Sequence, residues 1–347
     1  MQRYLTVYIL FCFLPFCALA QLGGSSTYSF LDLSASARAT GVGGAFYAAP
    51  KGDIALAIAN PALLGKEAHQ QIAFNTGFYL AGTNFGSAAY GHHSEKLKTS
   101  FSASASYTTY GKFDGRDPSG NYTGDFKAGN FHLAGAAARH WKKFTYGAQL
   151  KMIFSSIEQY NSLGIGVDVS AGYFHEDKNL AMSMILRNLG AELKTYVSGQ
   201  DKEKLPLDLA FAISKRFDRL PIRLNFVAHH LYKWDLTRPE TSSNNQQIIG
   251  GSTTTERGFI DKLFAHVIAG IEVEAGKPVR LRIGYDHLRR MELGSGEKKG
   301  LVGMSAGVGI VVQQFRIDYS FAKYHTVGSL NHIGIAVNLS EWGNKTN

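Results

Sequence analysis

Cysteine is nearly missing from this chain, charge is sparse, and no long apolar run follows the first twenty residues. The 347 residues include two cysteines, Cys12 and Cys17. Both fall in a stretch that reads as an export signal. Arg3 supplies its positive end, Tyr4 to Phe16 is apolar, and Ala18-Leu19-Ala20 is a small-residue cleavage site before Gln21. Phe16, bulky just before Cys17, argues against a lipidated cysteine. The exported chain is then expected to hold no cysteine, which excludes a disulfide framework and thiol chemistry. Charged residues are 18% of the chain, below the roughly 25% usual in globular proteins. No window beyond residue 20 approaches the roughly 18 apolar residues of a membrane helix. Any membrane crossing must therefore use strands.

Glycine (38 residues) and aromatics (12%, with 17 Tyr and 22 Phe) are plentiful. Together with the lack of helical patterning they point to a membrane β-barrel. From His69 onward the chain alternates. Leu163, Ile165, Val167, Val169 and Tyr173 share one face, and Gly164, Gly166, Asp168, Ser170 and Gly172 share the other. Fourteen such segments begin near Gln70, Gly82, Leu97, Phe126, Lys143, Asn161, Asn179, Leu205, Leu220, Asp261, Lys277, Gly300, Gln314 and Ser329. Most run for about ten residues or more, the length of a tilted strand crossing a bilayer.

The connections after even-numbered segments are tight, as at Trp141–Lys143 and Glu176–Lys178. Those after odd-numbered ones are mostly longer: Gly111–Asp125, Gly190–Lys204, Asp235–Ile260 and Arg290–Lys299. Tight turns on one rim, long loops on the other and an even strand number describe an outer-membrane barrel with both ends on the periplasmic side. The polar core of the longest loop, Thr237–Gly258, is expected to be mobile.

Phe30–Leu64 breaks the alternation. It has small-residue turns at Gly41, Gly43 and Gly44, a break at Pro50-Lys51-Gly52, and a helical run that Asp53 is placed to cap. Asn60-Pro61 ends the run, because the residue before proline is pushed out of the α region. This segment is expected to be a plug held inside the barrel. Alternation puts Lys151, Asp168, Asp208, Arg223, Glu272, Glu274, Arg280, Arg282, Asp286, Arg316 and Asp318 on the inward face. Both signs occur, which suits a plugged and cross-linked interior, or simply a hydrated one.

Several motifs fail on context. Gly303-Met304-Ser305-Ala306-Gly307 fits the nucleophile-elbow pattern but lies in unbroken alternation with no helix after it, so Ser305 lacks the required strained turn. His92-His93 and His229-His230 are strand neighbours expected to point to opposite faces, so neither pair should chelate one ion. Gly41-Val42-Gly43-Gly44 lacks dinucleotide-binding spacing and a preceding strand. No catalytic, metal or cofactor residue is expected, and no cofactor. The net charge of +9 comes without a basic helix or a basic–aromatic platform, so nucleic acid is not an expected partner. Lysines scattered over turns and loops account for it, though a basic surface also suits the phosphates and carboxylates of lipopolysaccharide.

The run Gly23-Gly24, Tyr28, Phe30-Leu31, Ser36-Ala37-Arg38, Gly43-Gly44 and Asn60-Pro61-Ala62 resembles the N-terminal signature of the FadL-like barrels of the type IX secretion system. The detailed match covers about residues 22–65; the strand pattern extends it over the chain. The resemblance implies a fourteen-stranded antiparallel transmembrane β-barrel of FadL type with an N-terminal plug, all-β, in the bacterial outer membrane. It implies a non-enzymatic subunit that anchors a cell-surface attachment complex with partners of the PorU, PorV and PorZ type, surrounded by outer-membrane lipid and lipopolysaccharide. It marks Ser36, Ala37, Arg38, Gly43, Gly44, Asn60 and Pro61 as structural plug residues. The expected organisation is signal 1–20, plug 21–66, barrel 67–342 and polar tail 343–347. Trp342 before that tail departs from the terminal aromatic that many such barrels carry. The other reading is a FadL-like channel for hydrophobic small molecules, which requires a kinked or short wall strand and an apolar cavity against the plug.

Overall fold

The computed structural model describes residues 27–236, 240–241, 254–255, 258–276, 278–293 and 300–341. The export signal, Gly23 and Gly24, nearly all of the loop core from Thr237 to Gly258, Trp342 and the tail lie outside the described residues.

Fourteen strands close into one barrel. They are β1 (Gln71–Phe78), β2 (Asn84–Ser94), β3 (Thr99–Arg116), β4 (Tyr122–Trp141), β5 (Phe144–Ile157), β6 (Tyr160–His175) and β7 (Leu180–Lys194), followed by β8 (Asp208–Arg216), β9 (Ile222–Ala228), β10 (Val267–Ala275), β11 (Val279–Asp286), β12 (Met304–Val312), β13 (Phe315–His325) and β14 (Gly328–Asn338). Every strand is antiparallel to its neighbours in the chain, and β1 closes the wall against β14, with Gln71 opposite Asn338. A two-stranded pair, Glu240–Thr241 with Thr254–Thr255, stands apart from the barrel.

Side-chain period decides which surface meets which medium. Along β5, exposed and buried residues alternate: Tyr146, Leu150, Met152 and Phe154 face out, while Thr145, Gln149, Lys151, Ile153 and Ser155 face in. The same parity puts Phe131 and Leu133 of β4, Ile283 of β11, Ile317 and Tyr319 of β13 and Ile333 and Ile335 of β14 on the outside, all exposed. The barrel thus has an apolar outer belt and a polar, small-residue inner face. A soluble monomer rarely exposes more than a few hundred Å² of contiguous apolar surface. Hydrocarbon is the medium this belt fits.

On the rim that carries both ends of the barrel the turns are short. Lys142 and Gln313 adopt left-handed φ there (55° and 51°), the twist that two-residue hairpins need, and Asn179 does so (49°) in the four-residue turn 176–179. The opposite rim carries the long connections 195–207, 229–266 and 287–303. It also has the two-residue turn after β5, with Glu158 at φ 56°.

The structure corrects three expectations. Gly111–Asp125 is mostly strand: β3 and β4 run on past the wall and pair with each other from Lys112↔Lys127 to Arg116↔Tyr122, leaving a turn at 117–121. A bulge after Thr109 disrupts the alternation there, so the pattern looked like loop. Asp261 lies in helix and not at a strand start, since β10 begins at Val267. Gly300 belongs to a turn, and β12 begins at Met304.

The plug fills the interior with short elements: α1 (Ala37–Gly41), α2 (Ile54–Ala57) and single 3-10 turns at Ser29–Asp32, Pro61–Leu63 and Lys66–Ala68. Val42, Phe46, Ile54, Leu56, Leu63 and Leu64 are buried against small inward residues of the wall, among them Ala136, Ala138, Ala210 and Ala212. Small residues on the inner face leave the space that the plug occupies.

Candidate functional site at the plug–wall boundary

Three capping side chains shape the plug. Ser36 Oγ accepts from Ala39 N at 3.2 Å at the start of α1. Asp53 Oδ1 accepts from Ala55 N at 3.1 Å at the start of α2. Asn60 Oδ1 accepts from Ala62 N at 3.0 Å, and Pro61 follows it at the first position of its turn. Each satisfies an orphan amide where water is absent. Gly43 and Gly44 both sit at φ 104°, a conformation that side-chain-bearing residues rarely adopt.

The plug backbone lies against the wall itself. A Cβ added to Gly284 of β11 would fall 2.0 Å from Gly43 N, and one on Gly147 of β5 would fall 2.6 Å from Pro61 C. The wall glycines are the seats of the plug. Around them the polar inward residues bind plug main chain. Asn75 Oδ1 accepts from Ala37 N at 3.2 Å, and Ser320 Oγ donates to Ala37 O at 2.7 Å. Asn225 Nδ2 donates to Ala45 O at 3.1 Å, Gln149 Nε2 to Ile58 O at 3.2 Å, and Ser87 Oγ to Ala35 O at 2.9 Å. The serine, asparagine and glutamine of the inner face therefore substitute for water around a buried irregular backbone.

The charges form a closed ring. Arg38 donates to Asp53 Oδ2 at 2.8 Å and to both oxygens of Glu272, at 2.9 and 3.2 Å. Glu272 Oε2 accepts from Arg282 Nε at 2.7 Å, and Arg282 Nη1 donates to Asp318 Oδ1 at 2.7 Å. Asp318 Oδ2 accepts from Arg316 Nε at 2.9 Å, and Arg316 Nη2 returns to Asp53 Oδ1 at 2.6 Å. Three guanidinium groups thus alternate with three carboxylates, two members from the plug and four from β10, β11 and β13. The ring is neutral as a whole. Burial alone would raise the Asp53 carboxyl, but Arg316 and Arg38 outweigh it and hold it well below the usual carboxylate range. Arg38 also lies over the Phe46 ring, 5.1 Å from its centroid.

A second cluster sits around Arg187 of β7. Its Nη1 donates to Tyr47 Oη at 2.6 Å and its Nη2 to Leu31 O at 3.0 Å, with Asp208 4.0 Å away. Nearby, Lys151 Nζ meets Asp168 Oδ2 at 2.7 Å. Two interior cavities adjoin this cluster. One, of about 20 Å³, is lined by Asp32, Leu33, Ser34 and Arg187, and the other, of about 40 Å³, by Phe30, Leu31, Phe85 and His132 among others. Both are water-sized; a cavity that binds benzene is about 150 Å³. Asp32 lines the first cavity with its side chain still exposed to solvent, and the protein packed around it pushes its carboxyl up to about 7, with Arg187 opposing and Asp208 adding.

Of the residues expected in the plug motif, Arg38 joins the ring, Ser36 and Asn60 cap, Ala37 is pinned to β1 and β13, and Gly43, Gly44 and Pro61 allow close packing. Asp53 was expected only as a cap and is also the ring's plug-side carboxylate. Arg187 was not anticipated. Its position beside a bulge at Asn188 (φ 57°) hides its orientation from a period-two reading.

The histidine argument needs correction. His92 and His93 do lie within β2, but His229 and His230 follow the end of β9. His230 adopts φ 53°, and the two Nδ1 atoms converge to 2.6 Å. The alternation rule does not apply past the strand. Among the described residues no group of three or more His, Cys, Asp or Glu is arranged to hold a metal. Ser305 lies within the second residue of β12, buried, with no helix after the strand.

No family model matches this chain, and no curated protein does. Solved structures do match. The Ralstonia pickettii toluene transporter TbuX is 14% identical, with a TM-score of 0.52, over 88% of this chain and 98% of its own. The Pseudomonas putida toluene transporter TodX is 12% identical, with a TM-score of 0.51, over 88% and 98%. A deletion mutant of TodX, described as a monoaromatic hydrocarbon channel, gives a TM-score of 0.54 at 12% identity over 88% and 99%. At this identity the likeness carries architecture alone: the chain has the closed fourteen-stranded antiparallel barrel fold seen in TbuX and TodX.

Proposed function

We propose that this protein is a non-conducting outer-membrane anchor, a PorQ-like subunit of the type IX secretion system that holds a surface complex of PorU, PorV and PorZ type. The observation that carries the anchoring reading is the closed ring Asp53–Arg38–Glu272–Arg282–Asp318–Arg316, which ties the plug to one arc of the wall, β10, β11 and β13. An interior cross-linked in this way, with wall glycines pressed on plug backbone, favours closure over passage. The apolar belt supports a barrel set in lipid, and in this reading the rim with both ends faces the periplasm. The secretion role rests on the plug motif from Ser36 to Pro61. Tagged protein extracted from outer membranes in mild detergent should bring down a large surface protein of PorZ type. Recovery of the barrel alone would remove the secretion role.

A second reading, a channel for hydrophobic small molecules, draws on one feature of the wall. Beyond Arg187↔Asp208, β7 has no β8 partner, and the stretch to Lys194 is bridged only at Ala191↔Lys204 among the described residues. Leu205 fills that side, packed on Tyr28, Phe30, Leu31 and Ile153. Uptake of toluene by cells that carry the barrel, absent from cells that lack it, would favour this reading.

A further inference from the structure

The wall is lopsided. β3 to β7 have 14 to 20 residues each, whereas β8 to β12 have only seven to nine. The shortest, β9, has seven residues. At about 3.3 Å per residue and a tilt of about 45°, such a strand gives about 16 Å of height, short of the apolar band of about 25 Å that these barrels present to lipid.

In the connection from β9, one residue before β10 begins, lies a helix, α3 (Phe259–Ala265). Its two faces differ. Phe259, Ile260, Leu263 and Phe264 are 68%, 67%, 44% and 49% exposed, and their spacing puts them on one side. Ala265 turns the other way and is buried with Leu236 and Leu288, the latter in α4 (His287–Leu293). Lys262 pairs with Asp235 at 2.7 Å, on the cap side. Trp234 adds to the apolar side: its ring is 5.4 Å from that of Phe259 and stacks on His266, whose Nε2 contacts Trp234 O at 3.0 Å. Below the helix the outward wall residues are Phe226, Ile271 and Ile283, themselves exposed. Exposed apolar residues thus occur both on the strands and on the helix that leads into β10.

We infer that α3 and Trp234 form an in-plane lipid-binding face that completes the apolar belt where the strands are short. The inference rests on the barrel lying in a membrane with its long connections on the outer side. A helix lying across the strand ends adds about 10 Å, its own diameter, which brings the height to that of the band. The occupant is the acyl-chain layer of the outer leaflet. The charged side, with Lys262 and Asp235, lies at the head-group level, as in helices that lie within an interface.

Tryptophan fluorescence in vesicles separates the possibilities. The full chain with Trp141→Phe and Trp342→Phe keeps only Trp234. The companion with Trp234→Phe and Trp342→Phe keeps only Trp141, which is 60% exposed on the opposite rim and reports membrane insertion. Both are reconstituted in phosphatidylcholine vesicles with and without acyl-chain bromine. The expected result is at least twofold quenching of Trp234 by bromine and little quenching by added iodide. Iodide quenching without bromine quenching, while Trp141 responds to bromine, would overturn the inference and make the face a site for a protein partner, with the membrane reading intact. If neither tryptophan responds to bromine, the membrane reading itself fails, and the inference with it. Ile260→Trp on a background of Trp141→Phe, Trp234→Phe and Trp342→Phe leaves one tryptophan, on the helix, and should respond to bromine in the same way.

Discussion

Arg38 of the plug grips Glu272 of the wall with two parallel hydrogen bonds, Nη2 to Oε1 at 2.9 Å and Nε to Oε2 at 3.2 Å. The pair joins parts of the chain 234 residues apart. A planar guanidinium suits this two-point contact, and lysine would not replace it. Because the same Arg38 also holds Asp53, removing it leaves two buried carboxylates each short of a partner.

Arg38→Ala should therefore cost about 3–5 kcal/mol, the usual consequence of stripping one partner from a buried ion pair. The barrel should still form, with its heat-modifiable gel shift moved to lower temperature and the plug open to protease. An unchanged transition would mean that the ring contributes nothing to seating the plug.

Gly284→Val tests the seat independently of charge. The new side chain would occupy the position of Gly43 N, and backbone cannot yield as a flexible side chain would. The expected outcome is a folded wall with a displaced plug, seen as new proteolysis between residues 27 and 66. A variant as protease-resistant as wild type would show that the plug is not pressed on β11.

Asp32 sets a pH dependence. Its carboxyl is raised from an ordinary 3.8 to about 7 by the protein packed around it, although the side chain keeps contact with solvent. Between those values the folded protein keeps a proton that the unfolded chain has lost, so stability falls as pH rises through this window. Melting temperature in detergent should drop from pH 4 to pH 7, and Asp32→Asn should flatten that slope. A slope unchanged in the variant would assign the effect elsewhere.

Ser305→Ala should be silent. The hydroxyl is buried with no hydrogen-bond partner among the described residues, and the strand around it offers neither base nor strained turn. Stability should stay within about 0.5 kcal/mol of wild type, and esterase activity on a chromogenic ester should not differ. A loss of hydrolysis would bring a catalytic serine back.

Much of this architecture is legible in the sequence, because a barrel in lipid makes side-chain period the dominant signal. Residues such as Leu163 to Tyr173 announce their faces one by one, and the count of fourteen follows. The plug is legible through its caps, Ser36, Asp53 and Asn60, and through its glycines. Illegible are the places where period two is locally broken. The bulge after Thr109 disguised the extended β3–β4 hairpin, the turn at His230 brought two histidines together, and the run after Phe259 is apolar enough to resemble a strand while forming a helix. The ring could be anticipated only as a set of inward charges of both signs. Which carboxylate meets which guanidinium depends on register and on where the plug sits, and alternation encodes neither.

Deleting residues 237–257 should leave the barrel intact, since Leu236 and Ala265, which pack with Leu288, flank the excised segment. Expression with a normal gel shift is the expected outcome. Failure to insert would show that the connection between β9 and β10 takes part in folding.

The most direct test of a sealed anchor is ion conductance of the purified barrel in planar lipid bilayers. Wild-type protein should insert and carry no steady current. A stable open-channel conductance from wild-type protein would contradict closure by the plug and its ring.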